Sequence, residues 1–457
     1  MQYPIGDTKE GVEALTSPKK DVASPTLALT PLSMLDYRPG EDPCPISRLP
    51  NEMLLSIFQS MVKFWNGSDS GVKSPGAITL SHVSCHWRRL STTTPTLWTI
   101  VPIAPSKVSN LDFFQEYLRR SADLPISIYL MPKTPSWSSI CSGQSTLVYE
   151  PFIDALLPVS HRITRLSSIF SGGALSRLLD AVLTKSASSV PTHNIFGPLI
   201  TLIVNVGSQL TTGQFHHLLV GSPTLVSLIF DNRAVDLRNL GRHMIYLPVL
   251  ENITYIGSPT RRKPSDLFSV LHAPSARRLE LNSIGLYHHQ DVMQAFFEDG
   301  SPKFPAVQTL VLYSFSKVGT QARQQFISAF PRVSHLSIDS ETLIQLKLHE
   351  LHQLRSDPAG VAWSQITHLT LDYIGSHFPD DDDDGHLYSV DEITFSYVDL
   401  WLRARQAITK SSMCIRVTCA IGNGATREFS EHLADLRSFG DVRYVERRPN
   451  HDVVGFD

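Results

Sequence analysis

The sequence predicts an α/β fold in which an amino-terminal helical module precedes a curved solenoid with parallel strands on its inner face and helices outside. Two short amphipathic helical patterns lie between residues 44 and 100. From about residue 160, an apolar-x-x-apolar-x-apolar pattern recurs with helical stretches between its copies. A single strand–helix unit cannot bury both of its apolar faces, whereas stacked units bury them continuously.

Length and composition bound the class of protein. The chain has 457 residues, a net charge of −3 and 42% hydrophobic residues, so it can build a large core and has no basic surplus for nucleic acid or anionic membranes. The five cysteines are irregularly spaced, which favours a reducing compartment over a disulfide scaffold. There is no signal-peptide pattern and no uninterrupted apolar run of about 18 residues. We expect an intracellular protein, cytoplasmic and/or nuclear, whose partners include neither nucleic acid nor membrane.

The chain divides into five expected segments. Residues 1–43 are rich in proline and lack an apolar period, so a disordered tail is expected. The helical module occupies 44–100, and a connecting helix and first strand occupy 101–160. The solenoid and its carboxy-terminal cap occupy 161–445, and 446–457 form a charged tail.

The first helix is predicted from Pro50 to Phe64. Pro50 suits the first helical position, where no N–H is needed, and Glu52 interacts favourably with the helix dipole. One broad apolar face is formed by Met53, Leu54, Ile57, Phe58 and Met61. A Gly- and Ser-rich insert from Trp65 to Gly76 is expected to be a loop.

A second helix is predicted over Ala77–Ser91, with Val83, Trp87 and Leu90 on one side at positions i, i+4 and i+7. Pro95 lies just beyond its end, followed by Trp98. Because tryptophan is costly to expose, Trp87 and Trp98 are expected to be buried or held against a partner.

Together these residues resemble the F-box. The matching residues are Leu49-Pro50-x-Glu52-x-Leu54-Leu55-x-Ile57-Phe58, then Val83-x-Cys85-x-Trp87-Arg88-x-Leu90, followed by Pro95-x-Leu97-Trp98. The resemblance covers about 45–100 and implies binding to the Skp-type adaptor of a cullin-type ubiquitin ligase. The insert from Trp65 to Gly76 departs from the F-box pattern. The alternative is a helical hairpin that caps the next domain.

The resemblance also implies which side chains contact the adaptor. The expected contacts are Ile46, Leu49, Pro50, Met53, Leu54, Ile57, Phe58, Val83, Cys85, Trp87, Leu90 and Trp98. Apolar anchors of this kind carry most of the energy of a protein–protein interface when they fill pockets on the partner.

Seven clear copies of the repeat predict strands, after a weaker copy at Ile163-x-x-Leu166. They span 199–204, 225–230, 250–255, 276–281, 307–312, 333–338 and 366–371. Four of the seven spacings between central positions are 25 or 26 residues, within the period of about 20–29 residues typical of leucine-rich repeats. The array resembles the degenerate leucine-rich repeats behind F-boxes, particularly those of the large fungal families. The alternative is a doubly wound α/β domain.

Helical periodicity separates the copies and continues after them. The predicted helices are Ser109–Ser121, Thr212–Val220, Ser265–His272, Gln290–Glu298, Gln321–Phe330, Glu341–Leu354, Glu392–Gln406 and Arg427–Phe439. Three further strands are predicted at Pro125–Leu130, Cys414–Ala420 and Gly440–Val445.

No catalytic, cofactor-binding or metal-binding motif is found, so we expect a protein that is not an enzyme and needs no cofactor. The adjacent pairs His216-His217 and His288-His289 point apart on a helix and suit a surface better than a chelate. Cys414 and Cys419 are expected to be buried strand thiols. The run Asp380–Asp384 predicts a solvated loop, with binding of a cation or of a basic partner as alternatives.

These expectations combine into a substrate-recruiting subunit of a cullin-type (SCF) ubiquitin ligase. The F-box would hold the adaptor, and the repeats would hold an unknown target protein. Outward-facing strand residues such as Thr201, Ser227, Thr309 and Thr370 are candidate target contacts. The alternative function is a repeat scaffold for protein–protein interaction that never meets a ligase.

Overall fold

A computed structural model describes most of the repeat region and parts of the flanking chain. The described residues are 45–67, 76–103, 109–130, 150–168, 174–187, 196, 198–205, 208, 210–235, 237, 240, 244–257, 265–283, 294–315, 320–346, 363, 365–374, 396, 398–403, 405–406, 412–420 and 427–447. The predictions made for 1–43, for His288-His289 and for Asp380–Asp384 lie outside them.

Two units are distinguished in the chain, Met1–Pro50 and Asn51–Asp457. In the first, Pro45–Arg48 form one turn of 3-10 helix. The backbone N–H of Leu49 donates to the carbonyl of Ile46 at 3.3 Å, which closes the turn.

In the described part of the chain, three helices open the second unit. They are α1 (Asn51–Gly67), α2 (Gly76–Ser81) and α3 (Cys85–Thr92), and a 3-10 turn over Pro95–Trp98 follows. The prediction of one helix over Ala77–Ser91 is wrong, because the helix is interrupted between Ser81 and Cys85. Ser84 has extended backbone and its hydroxyl accepts from the N–H of Trp87 at 3.1 Å, which starts α3 as a separate helix.

Among the described residues, twelve parallel strands form one sheet, and each is hydrogen-bonded to the next main-sheet strand along the chain. They are β1 (Ile100–Ile103), β2 (Ile126–Leu130), β3 (Ile163–Ser168), β4 (Thr201–Val204), β5 (Ser227–Asp231), β7 (Asn252–Ile256), β9 (Arg278–Asn282), β12 (Thr309–Tyr313), β13 (His335–Asp339), β14 (His368–Ile374), β15 (Met413–Ala420) and β16 (Gly440–Arg447). Two small sheets pair β6 (Ile245–Tyr246) with β8 (Leu271–His272) and β10 (Phe297–Glu298) with β11 (Ser301–Pro302).

The central apolar position of the predicted repeat forms one row across the whole sheet. The row is Val101, Ile128, Leu166, Leu202, Leu228, Ile253, Leu279, Leu310, Leu336, Leu369, Ile415 and Val442. All of these side chains except Val442 are buried. The strands predicted at all seven clear copies and at the weaker copy are therefore confirmed, and the sheet also includes β1 and β2, which precede them.

Helices lie between many of the strands. They are α4 (Ser109–Arg120), α5 (Glu150–Leu156), α6 (Ala174–Ala187), α7 (Thr212–Val220), α8 (Ser265–Val270), α9 (Thr320–Ala329), α10 (Ser340–Leu346) and α11 (Arg427–Leu436). The prediction for Thr212–Val220 is confirmed, and Thr211 and Gln214 form a capping box at its start. The predictions over Ser265–His272 and Gln290–Glu298 are wrong at their ends, because Leu271–His272 and Phe297–Glu298 pair as strands.

Aromatic side chains connect successive repeats inside the core. Phe215 of α7 packs on Phe230 of β5 with ring centroids 4.9 Å apart, and Tyr255 of β7 packs on Phe268 of α8 at 5.5 Å. Phe268 lies in turn 5.0 Å from Phe296. Since Phe230 lies on the same face of its strand as Leu228, the helices cover the face of the sheet that carries the central row.

Buried cations join neighbouring repeats through backbone carbonyls. Lys303 donates to the carbonyls of Phe268 and Ser269, each at 2.7 Å, near the carboxyl end of α8. Arg162 donates to the carbonyl of Leu124 at 3.0 Å and to the hydroxyl of Ser121 at 2.7 Å. Burial lowers the pKa of both groups. Cations placed here supply hydrogen-bond donors to carbonyl groups at or just beyond the end of a helix.

The α/β class and the large parallel sheet are confirmed. The order of the strands follows the chain without the reversal that a doubly wound sheet contains. The curvature of a solenoid stays a prediction.

Within the part of the chain that the structure describes, no helix combines the length and the apolar character needed to cross a membrane.

Candidate functional site

The predicted apolar face of α1 is divided between the core and the surface. Leu54, Phe58 and Val62, which lie at i, i+4 and i+8, are buried. Met53 is 54% exposed and Ile57 is half-buried. One stripe of the helix therefore holds the module together and the neighbouring stripe faces outward.

Trp98 is a structural anchor of the module. Its indole Nε1 donates to the carbonyl of Ser91, at the end of α3, over 2.8 Å. Its ring stands edge-on to Tyr117 of α4 at 4.9 Å, and the guanidinium of Arg120 lies 4.4 Å from the ring centroid. These contacts join α3 to α4 and give a buried tryptophan both its hydrogen bond and its packing partners.

Charged residues of α4 support this anchor. Glu116 accepts hydrogen bonds from Arg119 and Arg120, at 2.6 Å to 2.7 Å. The hydrogen bond from Arg119, with a smaller contribution from Arg120, lowers the pKa of Glu116 to about 2. Arg120 is thereby held between Glu116 and the ring of Trp98. Burial raises the pKa of the neighbouring Tyr117 hydroxyl.

Trp87 lies between the core and the surface. Its ring packs on Phe58 with centroids 4.6 Å apart, while the side chain as a whole is half-buried. Leu90, one turn further along α3, is also half-buried. Val83, in the turn before α3, is 58% exposed, and Cys85, the first residue of α3, is exposed.

The twelve expected adaptor contacts therefore fall into distinct groups. Leu54, Phe58 and Trp98 are buried and stabilise the module, so in this conformation they cannot contact a partner. Met53, Ile57, Val83, Cys85, Trp87 and Leu90 present surface, and we call these six residues the outward apolar set. α1 packs against α3, which brings together the two helices that carry five of these six residues.

The three remaining expected contacts belong to the first unit. Ile46 is 38% exposed, Pro50 is exposed and Leu49 is half-buried. The 3-10 turn over Pro45–Arg48 holds Ile46 and Leu49 on a short, ordered piece of backbone.

The sheet has a second face, formed by the residues that alternate with the central row. Thr201, Ser227 and Thr309 lie in the row immediately before the central one, and Thr370 lies in the row after it. All four are half-buried on this face, where the sequence predicted outward-facing side chains.

Carboxylates on the second face are held by donors from neighbouring strands or from their own strand. Asp372 accepts from the hydroxyl of Tyr313 at 2.6 Å and from that of Ser337 at 2.8 Å. Burial, with the charge of Asp372 as the next cause, raises the pKa of Tyr313. Glu280 accepts from Arg278 at 3.1 Å and from Asn282 at 3.2 Å.

A stacked pair of histidines on this face was not predicted. The rings of His335 and His368 lie 4.2 Å apart at an angle of 7°. Each Nδ1 lies 2.9 Å from the hydroxyl of the preceding residue, Ser334 or Thr367. Both histidines come directly before a central leucine, so aligning the copies on that leucine places them in adjacent positions of one row.

Other candidates from the sequence are placed as follows. His216 is half-buried and His217 is exposed, and their rings meet at 80° rather than side by side. Cys414 is half-buried and lies on the second face, so the expectation of a buried thiol is wrong for this residue. Among the residues described by the structure, no group of three or more His, Cys, Asp or Glu side chains could hold a metal ion.

Two surfaces are therefore candidates: the outward apolar set on α1, α3 and the turn before α3, and the polar second face of the sheet. No protein-family model matches the chain, and no curated protein matches it.

Proposed function

We propose that this protein is the substrate-recruiting subunit of a cullin-type ubiquitin ligase, acting in the cytoplasm and/or the nucleus. The outward apolar set docks on a Skp-type adaptor, and the second face of the sheet holds a target protein. The proposal is supported above all by one observation. Met53, on α1, and Val83, in the turn before α3, are both more than half exposed, although the inner residues of α1 are already packed. Exposed apolar side chains on an ordered module suit a protein partner.

The chemistry of this role is proximity. The protein holds its target near a ubiquitin-charged enzyme and supplies no reacting group itself. A rigid connection between the two docking surfaces serves that purpose. Trp98 supports such a connection, because it bonds to α3 and packs on α4, which contacts β1 of the sheet.

The same contacts favour a second candidate function. Because Trp98 and Tyr117 pack α3 against α4, the module is also suited to being a cap for the repeat array of a scaffold that binds no adaptor. The two candidates differ in whether the outward apolar set contacts a partner.

The test is binding of purified full-length protein to a purified Skp-type adaptor. We expect wild type to bind, and the double variant Met53→Glu/Val83→Glu to lose at least tenfold in affinity, because it places charges on the apolar contact. Leu49→Ala/Pro50→Ala should also weaken binding. The matched control is Val220→Glu, which charges a residue 51% exposed on α7 and should bind as wild type does.

Circular dichroism and thermal unfolding establish that each variant is folded. Folded wild type that binds no adaptor overturns the ligase proposal and favours the scaffold. Equal loss of binding in Val220→Glu would show that the outward apolar set is not the docking surface.

A further inference from the structure

We infer that the second face at the carboxy-terminal end of the array binds an acidic peptide segment of a partner protein, through a strip formed by His335, His368, Arg416 and Arg443. This inference rests on the proposed recruiting role of the sheet and names the chemistry of the target that the sheet holds.

Register places the four side chains of the strip on one face of adjacent strands. His335 of β13 pairs with His368 of β14, and Arg416 of β15 pairs with Arg443 of β16. Thr370, two residues after His368, is the register partner of Arg416. Adjacent strands are about 4.8 Å apart, so the strip spans roughly 14 Å, which an extended peptide covers in about four to five residues.

The side chains of this strip face solvent. All four side chains are exposed, and Arg443 is 71% exposed in spite of its 3.0 Å contact with Asp441. Arg416 has no ion pair or side-chain hydrogen bond with any other residue that the structure describes. A guanidinium in this position has all of its donors available for carboxylate oxygens.

The carboxylates of the same face are much less accessible to a partner. Asp372 is buried beneath two hydroxyl donors, and the side chain of Glu280 is only 11% exposed beside Arg278. Asp339 accepts from the backbone N–H of Ser314 at 2.7 Å and from that of Thr342 at 2.8 Å. A partner therefore meets exposed guanidinium and imidazole groups, with Asp441 as the one strongly exposed acid among the residues named here.

The histidines complete the strip at its other end. Their Nδ1 atoms are engaged by Ser334 and Thr367, which leaves Nε2 of each ring for a partner. Two parallel rings 4.2 Å apart also offer a flat edge against which a peptide backbone can lie. The peptide that fits combines a carboxylate pair for Arg416 and Arg443 with an extended backbone.

The test uses the full-length chain without adaptor and a labelled peptide of alternating Glu and Ser, about eight residues long. Fluorescence anisotropy should detect binding that weakens with added salt, and a peptide with Gln in place of Glu should not bind. Arg416→Ala should weaken binding about tenfold and Arg416→Lys less, because a charge-assisted hydrogen bond is lost or only altered. Arg437→Ala, which removes an exposed cation after α11, should leave binding unchanged.

A phosphoserine version of the peptide separates phosphate from carboxylate as the preferred anion. Stronger binding of the phosphopeptide by more than about tenfold would overturn the assignment to carboxylates. Equal binding of the Glu and Gln peptides, equal affinity of Arg416→Ala and wild type, or no binding at all would overturn the inference. Each of these results is independent of adaptor binding, so the inference and the proposed ligase function can fail separately.

Discussion

The imidazole rings of His335 and His368 stack with their centroids 4.2 Å apart on neighbouring strands of the sheet. Partial burial, and next the neighbouring His368, lower the pKa of His335. In the same row, Thr309 lies beside His335 and Cys414 lies beside His368. Protonating one ring therefore places a positive charge against another ring in a partly desolvated site.

This relationship predicts a loss of stability in acid. Because the folded-state pKa of His335 lies below its ordinary value of 6.5, the unfolded chain binds more protons as the pH falls through and below that value. Stability should therefore be fully present above about pH 7 and decrease as the pH falls toward 5. Thermal unfolding of wild type and His335→Gln at a series of pH values would measure it.

In His335→Gln the fall in melting temperature between neutral pH and pH 5 should be smaller than in wild type. His161→Gln is the matched control, since His161 is exposed at the end of a 3-10 helix, and it should show the wild-type pH dependence. An identical pH dependence in all three proteins would contradict the prediction.

The buried position of Trp98 predicts that its substitution destabilises the fold, whereas substitution of an exposed docking residue does not. Replacing Trp98 by Ala removes a buried ring and the hydrogen bond from its indole N–H to the carbonyl of Ser91, so we expect a loss of about 3–5 kcal/mol. Trp98→Phe retains apolar volume but loses the N–H donor, and should cost about 1–3 kcal/mol. Urea unfolding would measure both changes.

Met53→Ala is the control for this comparison, because its side chain is exposed on α1. It should change the free energy of unfolding by no more than about 0.5 kcal/mol. If Trp98→Ala cost less than about 1 kcal/mol, the anchoring role of the Trp98–Ser91 hydrogen bond would be wrong.

Gly440 is required where β16 begins. A Cβ at this position would overlap the carbonyl oxygen of Met413 on β15, and backbone cannot give way as a flexible side chain can. Gly440→Ala should therefore destabilise the protein by about 1–3 kcal/mol or more. It should also reduce the hydrogen-exchange protection of β16, because the strand must shift away from its neighbour.

Gly213→Ala is the matched control. Nothing lies within 4 Å of a Cβ at Gly213, which occupies the second position of α7. Alanine should stabilise this helix by about 0.5–1 kcal/mol, since glycine loses more backbone entropy there. A Gly440→Ala variant as stable as wild type, with unchanged exchange in β16, would refute the close approach.

Much of the fold could be predicted because each copy of the repeat carries the whole apolar pattern of its strand within six residues. Leu202, Leu228 and Leu310 each occupy the same place in an apolar-x-x-apolar-x-apolar run, and all three lie in the central row of the sheet. The break before α3 could not be seen in the apolar spacing of Val83, Trp87 and Leu90, because that spacing suits one long helix as well as a turn followed by a short one. The hydrogen bond from Trp87 N–H to Ser84 decides it.

The sequence alone determined the α/β class, the positions of the repeated strands and the apolar residues of the amino-terminal helices. These follow from the periodicity of apolar residues, which is visible within each helix or strand by itself. Tertiary structure decided that Leu54, Phe58 and Trp98 are buried while Met53 and Val83 are exposed. It also decided that His335 lies beside His368, and Arg416 beside Arg443, on adjacent strands. The reason is that side-chain burial and strand register depend on neighbours far away in the chain, and only the folded packing of those neighbours selects one arrangement.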